Sequence, residues 1–269
     1  MVLLKLLLVP ALIAGVTLAA RRWGPRVGGL LTALPVVAGP TLTFYAVEQG
    51  NGFAAIAAEG TLLGLVAVGA FSVAYAATAM RFPWTISLLA GWVTFGLVTL
   101  FLYRTHFSLS IDLFLTVAAL LLARECLPSP RPVVVAPRHT VWDLPLRMSA
   151  AVALVLALTS LAGWLGPNLS GVLTPFPVAT SIIAGFTHAQ RGRHAVVSFF
   201  RGFLPGLTSF AVFCFVLAAT LGFATLPVAL GCALAAQLMV QALIVWRMAL
   251  LRSASDATRP RAPDVVGRD

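Results

Sequence analysis

Charged side chains are scarce in this sequence. They make up 10% of the 269 residues, whereas 60% are hydrophobic and the mean hydropathy is +0.98. Soluble domains carry about 25% charged residues, so this chain has too few polar groups to cover a surface that faces water. A bilayer-spanning helix needs about 20 mostly apolar residues, and the sequence consists largely of such stretches. We therefore predict an all-α integral membrane protein whose main partner is the lipid bilayer.

The sequence also lacks the short motifs of enzymes and cofactor sites. No HExxH zinc motif, P-loop or glycine-flanked nucleophilic serine is present. The three cysteines follow no metal or disulfide spacing. The net charge of +10 comes from arginines in short segments between apolar runs, which indicates membrane topology rather than nucleic-acid binding. We expect no enzyme activity, and therefore no catalytic residue, metal, cofactor or nucleic-acid partner.

Hydropathy predicts about nine transmembrane helices, at 2–20, 29–48, 53–79, 84–103, 108–124, 144–164, 170–188, 195–221 and 225–250. The segment 125–143 is rich in proline and arginine and is predicted to be an extended linker, and the polar tail 252–269 is predicted to be disordered. Fifteen of the 18 basic residues fall on one side of this arrangement. Since cytoplasmic loops carry the excess of Lys and Arg, the N-terminus is predicted outside and the C-terminus in the cytoplasm.

The sequence contains an internal repeat, in which 17–78 aligns without a gap to 159–220. Matched positions include glycines and prolines, which apolar composition alone would not align: Gly24-Pro25 with Gly166-Pro167, Pro35 with Pro177, Gly50 with Gly192, and Gly60 and Gly64 with Gly202 and Gly206. Each repeat holds four predicted helices, and one linking helix lies between the repeats. That single extra crossing makes the second repeat start from the opposite face, so the two repeats are predicted to be inverted. The predicted units are the first repeat 1–107, the linking helix and linker 108–143, the second repeat 144–251, and the tail 252–269.

Each half resembles the GlpM-like (YdgC-like) small inner-membrane proteins. The resemblance is clearest in the second half, from SGVLTPFPVATSIIAGFTHAQRG through FFRGFLPGL to LPVALGCALAAQLMVQALIVW. The first half departs further, with Leu34 where the second has Phe176. The resemblance implies single four-helix units that pair antiparallel, here fused as a tandem inverted duplication in the bacterial inner membrane. It implies no substrate and no catalytic residue.

Two duplicated features are candidates for packing and for a transport path. The small-xxx-small pairs Gly60/Gly64 and Gly202/Gly206 predict that helices 53–79 and 195–221 pack closely on each other. Prolines interrupt helix 29–48 at Pro35 and Pro40, and helix 170–188 at Pro175 and Pro177. Matched breaks in inverted halves are typical of a transport site, although kinks that serve packing are the alternative. The path would then be lined by Thr32, Thr41, Thr43, Tyr45, Thr174, Thr180 and Ser181.

Charges inside predicted helices are further candidates. Glu59 and Arg201 occupy equivalent positions in the repeats, each just before a packing glycine. Ionisable groups within a membrane are expensive, so Glu59 is our candidate for coupling to protons or cations. Alternatively, both side chains reach the membrane interfaces. His188, Glu48 and Asp112 lie near helix ends and are expected to be solvated, and His188 is a candidate pH-sensing group at the cytoplasmic mouth.

The leading functional prediction is a small plasma-membrane transporter or exporter of an unidentified small solute or ion. Its site would lie between the two inverted repeats. A channel-like protein and an accessory protein for envelope polysaccharide or lipid assembly are the alternatives. Homo-oligomerisation is compatible with the sequence.

Overall fold

The structure is a computed structural model that describes residues 2–35, 38–102, 107–129, 143–150, 152–154, 156 and 176–257. Regular structure in these residues is helical, with no strand. The helices are α1 (Val2–Trp23), α2 (Pro25–Thr32), α3 (Ala38–Gln49), α4 (Asn51–Ala79), α5 (Trp84–Leu102), α6 (Leu109–Glu125), α7 (Val178–Arg191), α8 (Arg193–Thr220) and α9 (Leu226–Ala257). Residues 143–150 are helical as well.

Four of these helices are long and apolar enough to cross a membrane: α4, α5, α8 and the part Leu226–Leu250 of α9. Their mean hydropathy lies between 1.9 and 2.1. In an apolar stretch of 18 residues in α4, 61% is buried, and the same holds for α8. In the corresponding stretches of α5 and α9, only 22% is buried. α4 and α8 therefore form the centre of the bundle, and α5 and α9 turn large apolar side chains outward, as helices in lipid do. The prediction of a helical membrane protein is confirmed at this level, while nine crossings remain a prediction.

Glycine sets the start of the two central helices. Gly50 and Gly192 have φ of 89° and 80°, a backbone conformation that side chains other than glycine rarely adopt. α4 begins directly after the first, at Asn51, and α8 directly after the second, at Arg193. Because Gly50 and Gly192 are matched positions of the sequence repeat, the duplicated sequence makes the same turn twice.

The two central helices run antiparallel. Phe200, in the second turn of α8, packs against Phe71 and Tyr75 in the C-terminal half of α4, with ring centroids 6.2 and 5.4 Å apart. At the first residue of α8, the guanidinium of Arg193 donates to the carbonyl of Met80, just past the end of α4, at 3.0 Å. The start of one helix therefore meets the end of the other.

α6 lies against both central helices and runs parallel to α4. The hydroxyl of Thr116 donates to the carbonyl of Leu62 at 3.1 Å. One turn further along α6, the side chain of Leu120 lies over Gly69, which is also further along α4. Because α4 and α8 are antiparallel, α6 is antiparallel to α8.

The glycines of α8 pack against α2 and not against α4. A Cβ added at Gly202 would lie 1.8 Å from the carbonyl oxygen of Arg26, and one at Gly29 would lie 2.0 Å from that of Phe199. A Cβ added at Gly206 would lie 2.6 Å from the Cβ of Ala33, the residue that follows α2. Backbones that approach this closely need glycine, and small residues serve this purpose in membrane helices.

The prediction that matched glycine pairs join α4 to α8 is therefore wrong for Gly202 and Gly206. Gly64 is buried, but Gly60 is exposed, and no atom of the described residues lies within 4 Å of a Cβ added there. Where α4 and α8 meet at Phe71, Tyr75 and Phe200, the contact is made by aromatic rings and not by glycines. A second correction concerns the tail, because α9 continues through residues 252–257, which include two alanines and an arginine that favour helix. The remainder of the tail and most of the linker lie outside the described residues.

Candidate functional site

The predicted helix 29–48 is broken, as its prolines indicate. α2 ends at Thr32 and α3 begins at Ala38. Proline has no N–H, so buried Pro35 cannot donate to the carbonyl of Leu31, which instead accepts from the N–H of Leu34 at 3.2 Å. This tighter bond takes the N–H of Leu34 away from the carbonyl of Leu30, its partner in a regular α-helix.

The carbonyl of Leu30 finds a side-chain donor in α9. The amide nitrogen of Gln241 donates to it at 3.3 Å, and the amide oxygen of Gln241 accepts from the hydroxyl of Ser209 at 2.6 Å. Gln237 lies one turn earlier on α9 and is 1% exposed, and neither of its amide atoms has a hydrogen-bond partner among the described residues. Polar groups from α2, α8 and α9 thus meet beside the helix break, in an otherwise apolar bundle.

Sequence reasoning missed the two glutamines. The signal was available, because Gln237 and Gln241 are four residues apart on the most apolar of the four long helices, with a hydropathy of 2.1. Residues four apart share a face of a helix, and buried polar side chains in a membrane segment usually face protein or a polar cavity.

The matched proline of the second half also marks a helix boundary. Pro177 is buried and immediately precedes α7, and its carbonyl accepts from the N–H of Ser181 at 2.8 Å. The hydroxyl of Ser181 in turn accepts from the indole N–H of Trp92 on α5 at 3.0 Å. Thr180 is buried beside it. The predicted path residue Thr174 lies outside the described residues.

The other predicted path residues are dispersed. Pro40 is half-buried in the first turn of α3, and half-buried Tyr45 packs its ring on Phe53, 5.4 Å between centroids. His188 is 9% exposed, and its Nδ1 lies 3.5 Å from Oη of Tyr75. The expectation that His188 is solvated is therefore wrong: the packing of α7 against the bundle covers the ring.

Glu59 and Arg201 do not form an ion pair. The guanidinium of Arg201 donates to the carbonyls of Leu127 and Pro128, at 3.1 and 3.3 Å, just past the end of α6. A cation is favourable there because the last carbonyls of a helix carry partial negative charge. Glu59 is half-buried on α4, twelve residues from Phe71, the neighbour of Phe200, so about 18 Å of helix separates the two charges.

Asp112 is fully buried, with 0% exposure, contrary to the expectation that it is solvated. It lies in the first turn of α6, where the helix dipole favours a negative charge. One turn later on α6, Thr116 donates to the carbonyl of Leu62 on α4. Because α4 and α6 are parallel, stepping back one turn along each helix puts Asp112 and Glu59 at the same height along the bundle. The structure thus brings two acids to one level of the bundle. Glu48, by contrast, is exposed as expected.

A second group of polar side chains joins α1, segment 143–150 and α7. We call Arg21, Asp143, Arg147, Gln190 and Arg191 the charged cluster. Asp143 accepts from the guanidinium groups of Arg21 at 2.6 Å and Arg147 at 2.9 Å, and from the side-chain amide of Gln190. Arg147 also donates to the amide oxygen of Gln190 at 2.7 Å, and Arg191 donates to the carbonyl of Ala20 at 3.3 Å.

The centre of the cluster is held away from solvent. Asp143 is 4% exposed and Arg147 is 5% exposed, and the guanidinium of Arg147 lies 4.7 Å from the ring centre of Phe186. Burial raises the pKa of Asp143, but hydrogen bonds from Gln190, Arg21 and Arg147 outweigh it and hold that pKa below its ordinary value of 3.8. Asp143 is therefore a carboxylate at neutral pH. In the sequence these arginines lie between apolar runs and indicate cytoplasmic loops, so the cluster was not predictable; tertiary packing alone brings its members together.

Comparison with protein-family models, with curated proteins and with solved structures found no match to this chain. The resemblance of each half to the GlpM-like proteins stays a prediction. Among the described residues, no three His, Cys, Asp or Glu side chains come together where they could hold a metal ion. The features of the described residues that bear on function are the helix break, the two acids and the charged cluster.

Proposed function

We propose that this protein is a small secondary transporter or exporter of the bacterial plasma membrane, built from two inverted repeats. The observation that carries the proposal is the antiparallel pairing of α4 and α8. These helices come from equivalent stretches of a duplicated sequence, yet they run in opposite directions. Inverted repeats around a central site are a common architecture of secondary transporters, in which one repeat rocks against the other.

The surrounding helices support the same symmetry. α5 begins at Trp84 and α9 at Leu226, two positions that lie as far apart as matched residues of the sequence repeat. The two helices are also buried to the same extent, 22% of the apolar stretch in each. α3 and α7 end at positions related in the same way, Gln49 and Arg191. α6 contacts both α4 and α8, as a linking helix between two related halves would.

The solute path in this proposal runs along the helix break between α2 and α3. At the break, the backbone carbonyl of Leu30 accepts from the side chain of Gln241. Gln237 is buried one turn away on α9, and because its two amide atoms have no hydrogen-bond partner among the described residues, they can bind a solute. Interrupted backbone at membrane depth is tolerated where it is buried in protein or lines a cavity. The solute is therefore a polar molecule or ion, and Glu59 and Asp112 are the candidate coupling acids.

Cysteine labelling tests the inverted arrangement. The native Cys126, Cys214 and Cys232 are first replaced by serine or alanine. We then introduce Asn51→Cys and Arg193→Cys, the first residues of α4 and α8, one at a time. A membrane-impermeant maleimide should label the two positions from opposite sides of sealed membrane vesicles. Labelling of both positions from the same side would remove the inversion and the transport proposal with it.

The same background tests water access at Pro177, the position in the second repeat that matches Pro35 at the helix break. Ser181 is buried in the first turn of α7, next to Pro177, and we replace it with cysteine. The control is Leu97→Cys on α5, because Leu97 is 63% exposed and faces lipid. Thiols react as thiolates, which form in water and not in hydrocarbon, so Leu97→Cys should stay unlabelled. A transporter that alternates between two states predicts slow labelling of Ser181→Cys from both sides. Protection of Ser181→Cys from both sides would indicate a break that serves packing alone.

A further inference from the structure

A small cavity opens next to the charged cluster. It has a volume of about 10 Å³, enough for about one water molecule, and Arg21 in its wall has a side chain that is 24% exposed. The polar side chains around it are Thr17, Arg21, Arg147, Thr187 and Arg191. All of them carry hydrogen-bond donors, and the three guanidinium groups have no acceptor atom at all.

The charges around the cavity do not balance. Arg21, Arg147 and Arg191 bring three positive charges, and Asp143 brings one negative charge, which leaves a net charge of +2. Burial lowers the pKa of Arg191, and the neighbouring charge of Arg21 lowers it further, as expected for cations held close together. Arg147 is buried, and Arg21 and Arg191 are half-buried, so their charges are only partly solvated and the excess of positive charge favours an anion here.

Two donors at the cavity are buried without a partner in the described part of the chain. Nε of Arg21 is one, and the hydroxyl of Thr17 is the other, on a residue only 4% exposed. Several threonines in these helices, such as Thr32, Thr61 and Thr99, donate to the carbonyl four residues earlier. Thr17 does not make this bond, so its hydroxyl remains available to a ligand in the cavity.

The chain's own acids offer no obvious occupant. Of its eight acidic residues, Asp143 already belongs to the cluster, and Glu48, Glu59, Asp112 and Glu125 lie on α3, α4 and α6. The other three belong to residues 256–269, a segment that also carries Arg259, Arg261 and Arg268. Bringing this tail to the cavity would add positive charge to a site that already has too much.

We propose that the cavity binds the phosphate group of a phosphate monoester. A monoester carries about −1.5 to −2 charges at pH 7, which matches the excess of +2. Guanidinium groups bind phosphate oxygens with paired hydrogen bonds, and the hydroxyl of Thr17 supplies a further donor. Because the cavity has room for about one water molecule, one terminal oxygen enters it and the rest of the phosphate group stays outside it, beside the partly exposed side chain of Arg21. The ligand is either a free solute or the headgroup of phosphatidic acid.

Binding is measured as the rise in Tm of the full-length protein in phosphatidylcholine nanodiscs, titrated with inorganic phosphate at constant ionic strength. In a second arm, phosphatidic acid replaces part of the phosphatidylcholine and no phosphate is added. Ligands that bind only the folded state raise Tm with concentration, which gives an apparent Kd. A rise with phosphate identifies a free solute as a competent ligand, and a rise with phosphatidic acid alone identifies the lipid headgroup.

Three variants localise the binding. Arg191→Gln should raise the apparent Kd about tenfold or more, since it removes a charged donor, and Thr17→Val should raise it about threefold to tenfold. Arg193→Gln is the matched control, because it removes the same charge two residues away at an exposed position, and its Kd should stay within about twofold. Thr17→Val keeps shape and charge, so it remains informative if Arg191→Gln folds poorly.

The proposal is overturned if neither arm raises the Tm of the wild-type protein, or if Arg191→Gln and Thr17→Val both bind as the wild type does. Binding that appears only after Asp264→Asn and Asp269→Asn would assign the cavity to the tail and would equally overturn it. The inference goes beyond the proposed function, since a protein that fails the labelling tests can still bind phosphate at this face.

Discussion

Replacing Gly202 with alanine tests the close contact between α2 and α8. The added Cβ would lie 1.8 Å from the carbonyl oxygen of Arg26, whereas ordinary contact begins at 3.4 Å, so the two helices must move apart by most of that difference. The obstacle is backbone and cannot rotate away. Overpacking of this kind costs about 1–3 kcal/mol, and we expect the upper end. The better helix propensity of alanine returns about 0.5–1 kcal/mol, which leaves a net loss of about 2 kcal/mol.

The loss is measurable as a fall in Tm of about 4–8 °C for a chain of this size. Tryptophan fluorescence during heating in mild detergent follows the unfolding. The control is Gly96→Ala on α5, where no atom of the described residues lies within 4 Å of the new Cβ, so stability should rise slightly. Equal shifts in Gly202→Ala and Gly96→Ala would refute the close approach of α2 to α8.

A double substitution separates this contact from a general effect on α8. Gly206→Ala would place its Cβ 2.6 Å from the Cβ of Ala33, the residue that directly follows α2. Ala33→Gly removes that atom, so the double variant should recover part of the stability that Gly206→Ala loses. A coupling energy of about 0.5–3 kcal/mol is typical of residues in contact. Additive effects of the two changes would place the strain elsewhere.

Two further predictions concern the acids. Asp143→Asn should lower the free energy of unfolding by about 3–5 kcal/mol, because it leaves the buried guanidinium of Arg147 without its counter-charge. The pKa of Asp143 in the folded protein lies below its ordinary value of 3.8, so the Asp143 carboxylate stabilises the fold above pH 3.8. This stabilisation is lost as the pH falls through the lowered pKa. Denaturant titrations should show the loss in the wild type and not in Asp143→Asn. In proteoliposomes that hold a pH-sensitive dye, a coupling acid predicts that Glu59→Gln or Asp112→Asn abolishes proton movement, with Glu48→Gln as the exposed control. Unchanged proton movement in both variants would remove these two residues from the coupling role.

Local features of the fold were predictable because they depend on short stretches of sequence. Hydropathy located α4, α5, α8 and α9 to within a few residues, since an apolar run of this length has few alternatives to a helix in lipid. Pro35 indicated the end of α2, since a missing N–H breaks the hydrogen-bond ladder wherever the helix lies. The internal repeat anticipated the matched starts at Asn51 and Arg193, because equal sequences make equal turns.

The partners of these features were not predictable. Glycines are interchangeable in a repeat pattern, so nothing in the sequence indicated that Gly202 packs on Arg26 of α2. Asp112 was expected in solvent because it lies near a helix end, but the packing of α6 between α4 and α8 buries it completely. Burial of a helix end depends on which helices surround it, and hydropathy along one helix carries no information about its neighbours.

The amino-acid sequence by itself determined that this chain is a helical membrane protein with a duplicated pattern of glycines, prolines and apolar runs. Composition and spacing are properties of the chain that act locally, through lipid solvation and backbone conformation. Only the tertiary structure decided which charges meet. Arg21 and Asp143 are 122 residues apart, and their 2.6 Å ion pair exists because the fold brings the end of α1 to the start of segment 143–150. A charge that loses its water when the helices assemble needs an opposite charge nearby, and the positions of the assembled helices decide which residue supplies it.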